Sequence, residues 1–273
     1  ISAPSLSVVS NGSVALTANN NVGTLAGSVT GPGFSFANVN DLTVGTVGIS
    51  GLTVGTGDIF LTVSGPNKKL TIANPVIATS GSVSYTADHQ AHTATTTTGG
   101  GSNWIEVKPD TPAAAVEFSS SVDVAGVLRL SSGALLGFST PLLKVGNISN
   151  TAGIQVKESV TASSFSSMSL ITGGAIGQDA GRTLTVSNLN VDGAMGVALL
   201  ESNSVTNLAG SRGSIGGCSD LCLHRCQRHQ HRFGGHHQWH SKRWGCRQCD
   251  LAHCRRCRNT ERGRTGGGKR RGP

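Results

Sequence analysis

The sequence predicts an all-β chain, a right-handed parallel β-helix (β-solenoid) followed by a disordered tail. Three observations predict it. Only 13% of the 273 residues are charged and 4% aromatic, against roughly 25% charged in an average globular chain, while glycine fills 38 positions. Short runs of alternating apolar residues recur between Gly, Asn, Ser and Asp turns. Longer phrases return every roughly 20–25 residues, an interval that suits a coil stacking on the coil before it.

The strand unit is clearest as Gly12-Ser-Val-Ala-Leu-Thr-Ala18, Gly57-Asp-Ile-Phe-Leu-Thr-Val63, Gly81-Ser-Val-Ser-Tyr-Thr-Ala87 and Gly196-Val-Ala-Leu-Leu-Glu201. Each places apolar side chains two apart, the strand period. A longer unit joins two strands: Leu70-Thr-Ile-Ala-Asn74 leads to Val83, and Leu184-Thr-Val-Ser-Asn188 leads to Val197. Above these lies a superrepeat. Val14, Leu16, Asn20, Val22 and Leu25-Ala-Gly-Ser28 return 183 positions later as Val197, Leu199, Asn203, Val205 and Leu208-Ala-Gly-Ser211. At about 4.8 Å per coil, the body is expected to form about eight or nine coils and a rod of roughly 40 Å. An antiparallel β-sandwich also uses short strands and turns. It would favour two-residue hairpins, for which Asn11-Gly12 is the available signal, and a more aromatic core.

The chain divides near Ser211. Residues 1–211 carry 7 Lys and Arg against 11 Asp and Glu, a net of −4, and no cysteine. Residues 212–273 carry 15 against 3, a net of +12, with all 7 cysteines and 7 of the 9 histidines. The basic total of +8 therefore describes the tail and not the body. The cysteine-free body fits a protein exported through an oxidising compartment. With no start methionine, signal-like segment or long apolar run, the chain is expected to be a fragment whose targeting segment lies upstream.

Several phrases carry a family resemblance: Val14 to Ser28, Leu42-Thr-Val-Gly-Thr46, Ser82-Val-Ser-Tyr-Thr-Ala-Asp88, and Leu170-Ile-Thr-Gly-Gly-Ala-Ile176 with Leu184-Thr-Val186. They resemble the repeats of filamentous-haemagglutinin-like exoproteins and giant autotransporter-type adhesins of Gram-negative bacteria. The resemblance covers most of the body and none of the tail. It implies the right-handed β-helix, two-partner or autotransporter secretion with an outer-membrane partner, and a place outside the cell or on its surface. It also implies adhesion to glycans or proteins of a host or neighbouring cell.

The alternative class is a carbohydrate-active β-helix enzyme, which needs paired carboxylates or a metal cluster on one face. Asp58, Asp88, Glu106, Asp110, Glu117, Asp123 and Glu158 are instead spread singly among turns and strand ends, so no catalytic residue is assigned. Asp88-His89-Gln-Ala-His92 is the one local cluster of titratable groups in the body. Trp104 reads either as a carbohydrate platform or as a plug over a cavity or coil end. No cofactor is expected.

The tail offers Cys246, Cys249, Cys254 and Cys257 as a zinc set, with His253 between the two pairs. Four residues separate the two Cys-x-x-Cys units, where a zinc ribbon uses about 15–20 to wrap the metal. Arg228, Arg232, Arg243, Arg247 and Lys269-Arg-Arg271, with Trp239 and Trp244, give a nucleic-acid-binding alternative. A third reading takes the tail as the repeat gene translated out of frame. His, Gln, Arg and Cys codons of a GC-rich gene, shifted by one base, become codons largely for Thr, Ser, Gly and Ala, the composition of the body. On that reading the tail is disordered, no nucleic acid is a partner, and the zinc pattern has no function. Sequencing the gene tests it: the +1 frame downstream of Ser211 should encode further repeat, and a +1 frame without repeat phrases rejects the idea.

Overall fold

The computed structural model describes residues 1–211 and the backbone of 221–225. About 60% of the chain is strand and 2% helix, and parallel strands wind as a β-solenoid of about 10 turns. A turn contributes up to three short strands, giving three faces, A, B and C. On face A, Leu25, Val44, Ile72 and His92 occupy successive coils. On face B the column is Leu52, Val76, Thr96 and Phe138. On face C it runs Phe34, Ile59, Val83, Ile105, Leu143, Met168, Leu189 and Leu208.

The sandwich is excluded by the pairings, which are parallel apart from the short Thr46–Val47 and Ile49–Ser50 pair and one isolated bridge, Val124 with Val127. There are also more coils than the expected eight or nine. A coil takes 24 residues where Ser82 lies over Asp58, but 19 where Asn40 lies over Asn21 and Asn207 over Asn188. Shorter corners fit more turns into the same chain.

Alternation decides which side chains enter the core. In Leu52–Val63, Leu52, Val54, Ile59, Leu61 and Val63 are fully buried, while Thr53 and Phe60 face out. Corners need other chemistry, because the ladder stops there and leaves backbone groups to be satisfied. Inward-turned amides supply both donor and acceptor. Asn38 accepts from Val22 N at 2.8 Å and donates to Val22 O at 2.9 Å and Asn40 O at 2.7 Å. Asn20 donates to Leu16, Ala18 and Ala37 carbonyls, and Asn203 accepts from Leu184 N at 2.8 Å.

One stretch departs from regular winding. The strand Ala115–Phe118 pairs with Ile154–Val156 on one side and with Val127–Leu130, later in the chain, on the other. Val127–Leu130 in turn lies against His89–His92. The chain thus steps back by a rung before it advances through the short helix Ser132–Leu136. No ladder joins His89–His92 to Val127–Leu130: the first pairs with Lys69–Ile72, the second with Ala115–Phe118. Face A therefore has a seam at this level, whereas face C passes it without a break, Ile105 lying beside Leu143. The connection between the two out-of-order strands is pinned outside the seam by Asp123 to Lys69 at 2.7 Å and by Gly126 N to Asn67 Oδ1 at 2.9 Å.

The superrepeat does not predict position in the stack. Leu25 is fully buried on face A, but its counterpart Leu208 stands in the face C column and is 44% exposed. Within the tail, Leu221–Arg225 forms a strand parallel to Val197–Ser211, with Leu221 beside Val197 and Leu223 beside Leu199. The backbone of those five residues continues the ladder. The expectation that the tail is disordered lies, for 212–220 and 226–273, outside the described residues.

Gly51 tests the corner geometry. Its φ is +72°, and a Cβ there would stand 2.2 Å from Pro75 O, the carbonyl that accepts from Leu52 N. Gly51→Ala is expected to lower unfolding free energy by about 2 kcal/mol or more, read by urea denaturation, because positive φ alone costs an L-residue about 1–2 kcal/mol.

Candidate functional site

The seven acids singled out among the body's eleven are drawn into separate structural tasks. Asp58 Oδ1 accepts from Ser82 N at 2.7 Å, tying one corner to the next, and Asp110 Oδ2 accepts from Gly65 N at 2.9 Å, a corner two coils away. Asp88, only 1% exposed, accepts from Asn67 N at 3.0 Å, Thr111 N at 2.7 Å and Thr111 Oγ1 at 2.6 Å. Glu106 is engaged by Ser84 and Lys108, Asp123 by Lys69, and Glu158 by Ser132 N and Oγ. Burial pushes the Glu158 carboxyl up, but the hydrogen bonds of Ser132 and Ser120 together outweigh it and leave it below the ordinary range.

Glu117 has the densest surroundings. Its carboxylate meets Arg129 Nε at 3.1 Å and Lys157 Nζ at 2.6 Å. Burial raises its pKa, yet the hydrogen bonds and charges of Lys157 and Arg129 together bring it below the usual value. A carboxylate held ionised between two cations is a poor proton donor or acceptor near neutral pH. This trio staples the out-of-order strands, since Arg129 is Glu117's neighbour across that ladder.

Strand alternation dismantles the Asp88, His89 and His92 cluster. Asp88 turns into the corner, His89 lies on the outward side of its strand in register with Lys69, and His92 turns inward in register with Ile72. Among the described residues no group of three or more His, Cys, Asp or Glu could hold a metal ion. Cys246, Cys249, Cys254 and Cys257, and the tail arginines, lie outside the described residues.

Trp104 is neither a plug nor at a coil end. It stands half-buried mid-stack on face C beside Leu142, with Lys144 Nζ 4.1 Å above its ring. Further along the same face the outward side chains form an amide ladder. Asn207 Nδ2 donates to Asn188 Oδ1 at 2.8 Å, Asn188 Nδ2 to Ser167 Oγ at 3.2 Å, and Asn190 Nδ2 to Ser169 Oγ at 2.8 Å. Leu142, Ser167, Asn188, Asn190, Asn207 and Ala209 line a shallow groove of about 190 Å³ along it. Such a surface can make weak polar contacts, and no carboxylate, imidazole or thiol lines the groove.

Comparison with known proteins finds no matching family model, no similar curated protein and no similar solved structure. No described helix is long and apolar enough to cross a membrane. Sequence inspection missed the corner amides and the Glu117 trio. Asn20 and Asn203 were visible as equivalent superrepeat positions, whereas nothing in the sequence distinguished Glu117 from the other acids.

If the body's acids are structural, removing the most enclosed one costs stability. Asp88→Ala strands two backbone N–H groups and should lower unfolding free energy by about 2–4 kcal/mol. Asp179→Ala, at an exposed position where the partner is Gln155, should change it by less than about 1 kcal/mol in the same urea titration.

Proposed function

We propose that residues 1–211 are a structural and adhesive repeat segment, without catalysis, of a secreted or surface-displayed bacterial exoprotein of the filamentous-haemagglutinin kind. The observation that carries the reading is the unbroken face C. Its columns run from Phe34 to Leu208 and turn outward small, polar and charged side chains, interrupted by Phe60, Trp104 and Leu142. A stacked rod of this kind extends a surface away from a cell and repeats similar weak contacts along its length. Its partners are glycans or proteins of a host or neighbouring cell surface, met outside the producing cell or on its outer surface. The parent protein would need an outer-membrane partner to leave the cell. Each contact is weak, and linkage on one rod raises the avidity by about 10²–10⁴ over a single contact.

Beads coated with the full chain test this on layers of epithelial and bacterial cells. Saturable retention, competed by soluble chain, is expected, with Trp104→Ala reducing it several-fold while leaving the circular dichroism unchanged. Retention no greater than that of albumin-coated beads rejects the adhesive role. Release of new reducing ends from polysaccharides incubated with the chain would favour the carbohydrate-active enzyme instead.

A further inference from the structure

The interior is apolar for most of its length but not at the seam. There Tyr85, Gln90, His92, Thr96, Thr98 and Thr140 face inward at positions filled by Leu, Ile, Val or Ala elsewhere. Tyr85 OH and Thr96 Oγ1 satisfy each other at 2.8 Å, and Thr98 donates to Thr140 at 2.9 Å. Gln90 Nε2 donates to the carbonyls of Tyr85, Ala87 and Lys108, which leaves its Oε1 to accept from His92 Nε2 at 3.1 Å.

That last bond fixes the tautomer: the His92 proton is on Nε2. Nδ1 is shielded from solvent and has no hydrogen-bond partner among the described residues. The ring is held between Tyr85, 5.2 Å away, and Phe138, 4.7 Å away and edge-on. A second proton on this imidazole would place a positive charge among two aromatic rings and hydroxyls already paired. It would do so beside the level where, among the described residues, face A lacks a ladder between neighbouring strands.

Nothing charged nearby offsets that cost. Lys69, Arg129, Glu106 and Lys108, from the strands packed around the ring, all face outward, and Asp123, Glu117 and each other are their partners. His89 lies on the outward side of the same strand, and Asp88 is occupied by Asn67 and Thr111. Tyr85 faces His92 directly, and burial pushes its phenol well above the ordinary range despite the Thr96 hydrogen bond, so it stays neutral.

We infer that the seam between His89–His92 and Val127–Leu130 is an acid-sensitive joint, at which protonation of His92 opens face A locally while the ladders of faces B and C hold the stack together. Burial pushes the imidazole down from 6.5 to about 3. An opened joint takes up the proton from about pH 6.5 downward, whereas the closed joint takes it up only near pH 3. The contribution of neutral His92 to closure is complete above pH 6.5 and is lost progressively as the pH falls through that window. Between pH 7.5 and pH 4.5, the opening equilibrium should rise roughly a hundredfold.

Amide hydrogen exchange on the full chain, corrected for intrinsic rates, reads this opening directly. Residues 89–92 and 127–130 should open roughly a hundredfold more at pH 4.5 than at pH 7.5, while residues 34–38 and 59–63 change by less than about threefold. In His92→Leu, which continues the Val44 and Ile72 column, the extra opening should vanish. Equal acid-induced opening in wild type and His92→Leu overturns the inference, as does no opening in wild type. Should His92→Leu fail to fold, carbon-13 titration of the His92 imidazole in the wild-type chain decides. A midpoint near pH 6.5 in the folded protein rejects the joint, and an imidazole still neutral at pH 5 supports it.

Discussion

Each coil of this protein finds the partners for its backbone on the coil beneath it. A parallel strand cannot close its own hydrogen bonds, so every strand on the three faces depends on a neighbour one turn away in the chain. Register follows from that dependence. Once Phe34, Ile59 and Val83 share a column, the side chains between them must alternate inward and outward in step, and every corner must bring the chain to the same height. Corner amides such as Asn38 and carboxylates such as Asp88 let the chain turn without leaving backbone groups bare. They do locally what the ladder does along the faces.

The same demand explains which parts of the fold could be read from the sequence. Alternation in Gly57 to Val63 and Gly81 to Ala87 marked real strands, and the sparse charge marked a narrow core. The superrepeat was misleading about position, because all three faces ask for the same thing: an apolar side chain at every second residue and a small turn between strands. Leu25 and Leu208 belong to one phrase yet serve faces A and C. The stretch that steps back was illegible for a related reason. Ala115–Phe118 and Val127–Leu130 have the composition of any other strands here, and only their pairing shows that they are stacked in reverse order.

Side-chain chemistry was less legible than architecture. Asp88, His89 and His92 look like a cluster when written in a line, but a strand sends neighbours to opposite sides, and the corner removes Asp88 from both. Glu117 looked like one acid among eleven until Arg129 and Lys157, from the coils on either side, closed over it. In a solenoid, spatial neighbours are about one coil apart in sequence, so a constellation is spread over windows in which short motifs are not sought.

The reversed pair of strands bears on how the chain acquires its structure. Most of the stack can grow as a zipper, each new coil templated on an edge that already exists, and such growth needs only local closure. Ala115–Phe118 has no such edge waiting beneath it, because the rung that will lie there, Val127–Leu130, comes later in the chain. The first strand must wait, unpaired on that side, until the second is threaded under it. A polymer emerging end-first would therefore fold as two successive runs of growth, separated by a pause whose length is set by a loop of some eight residues finding its way back.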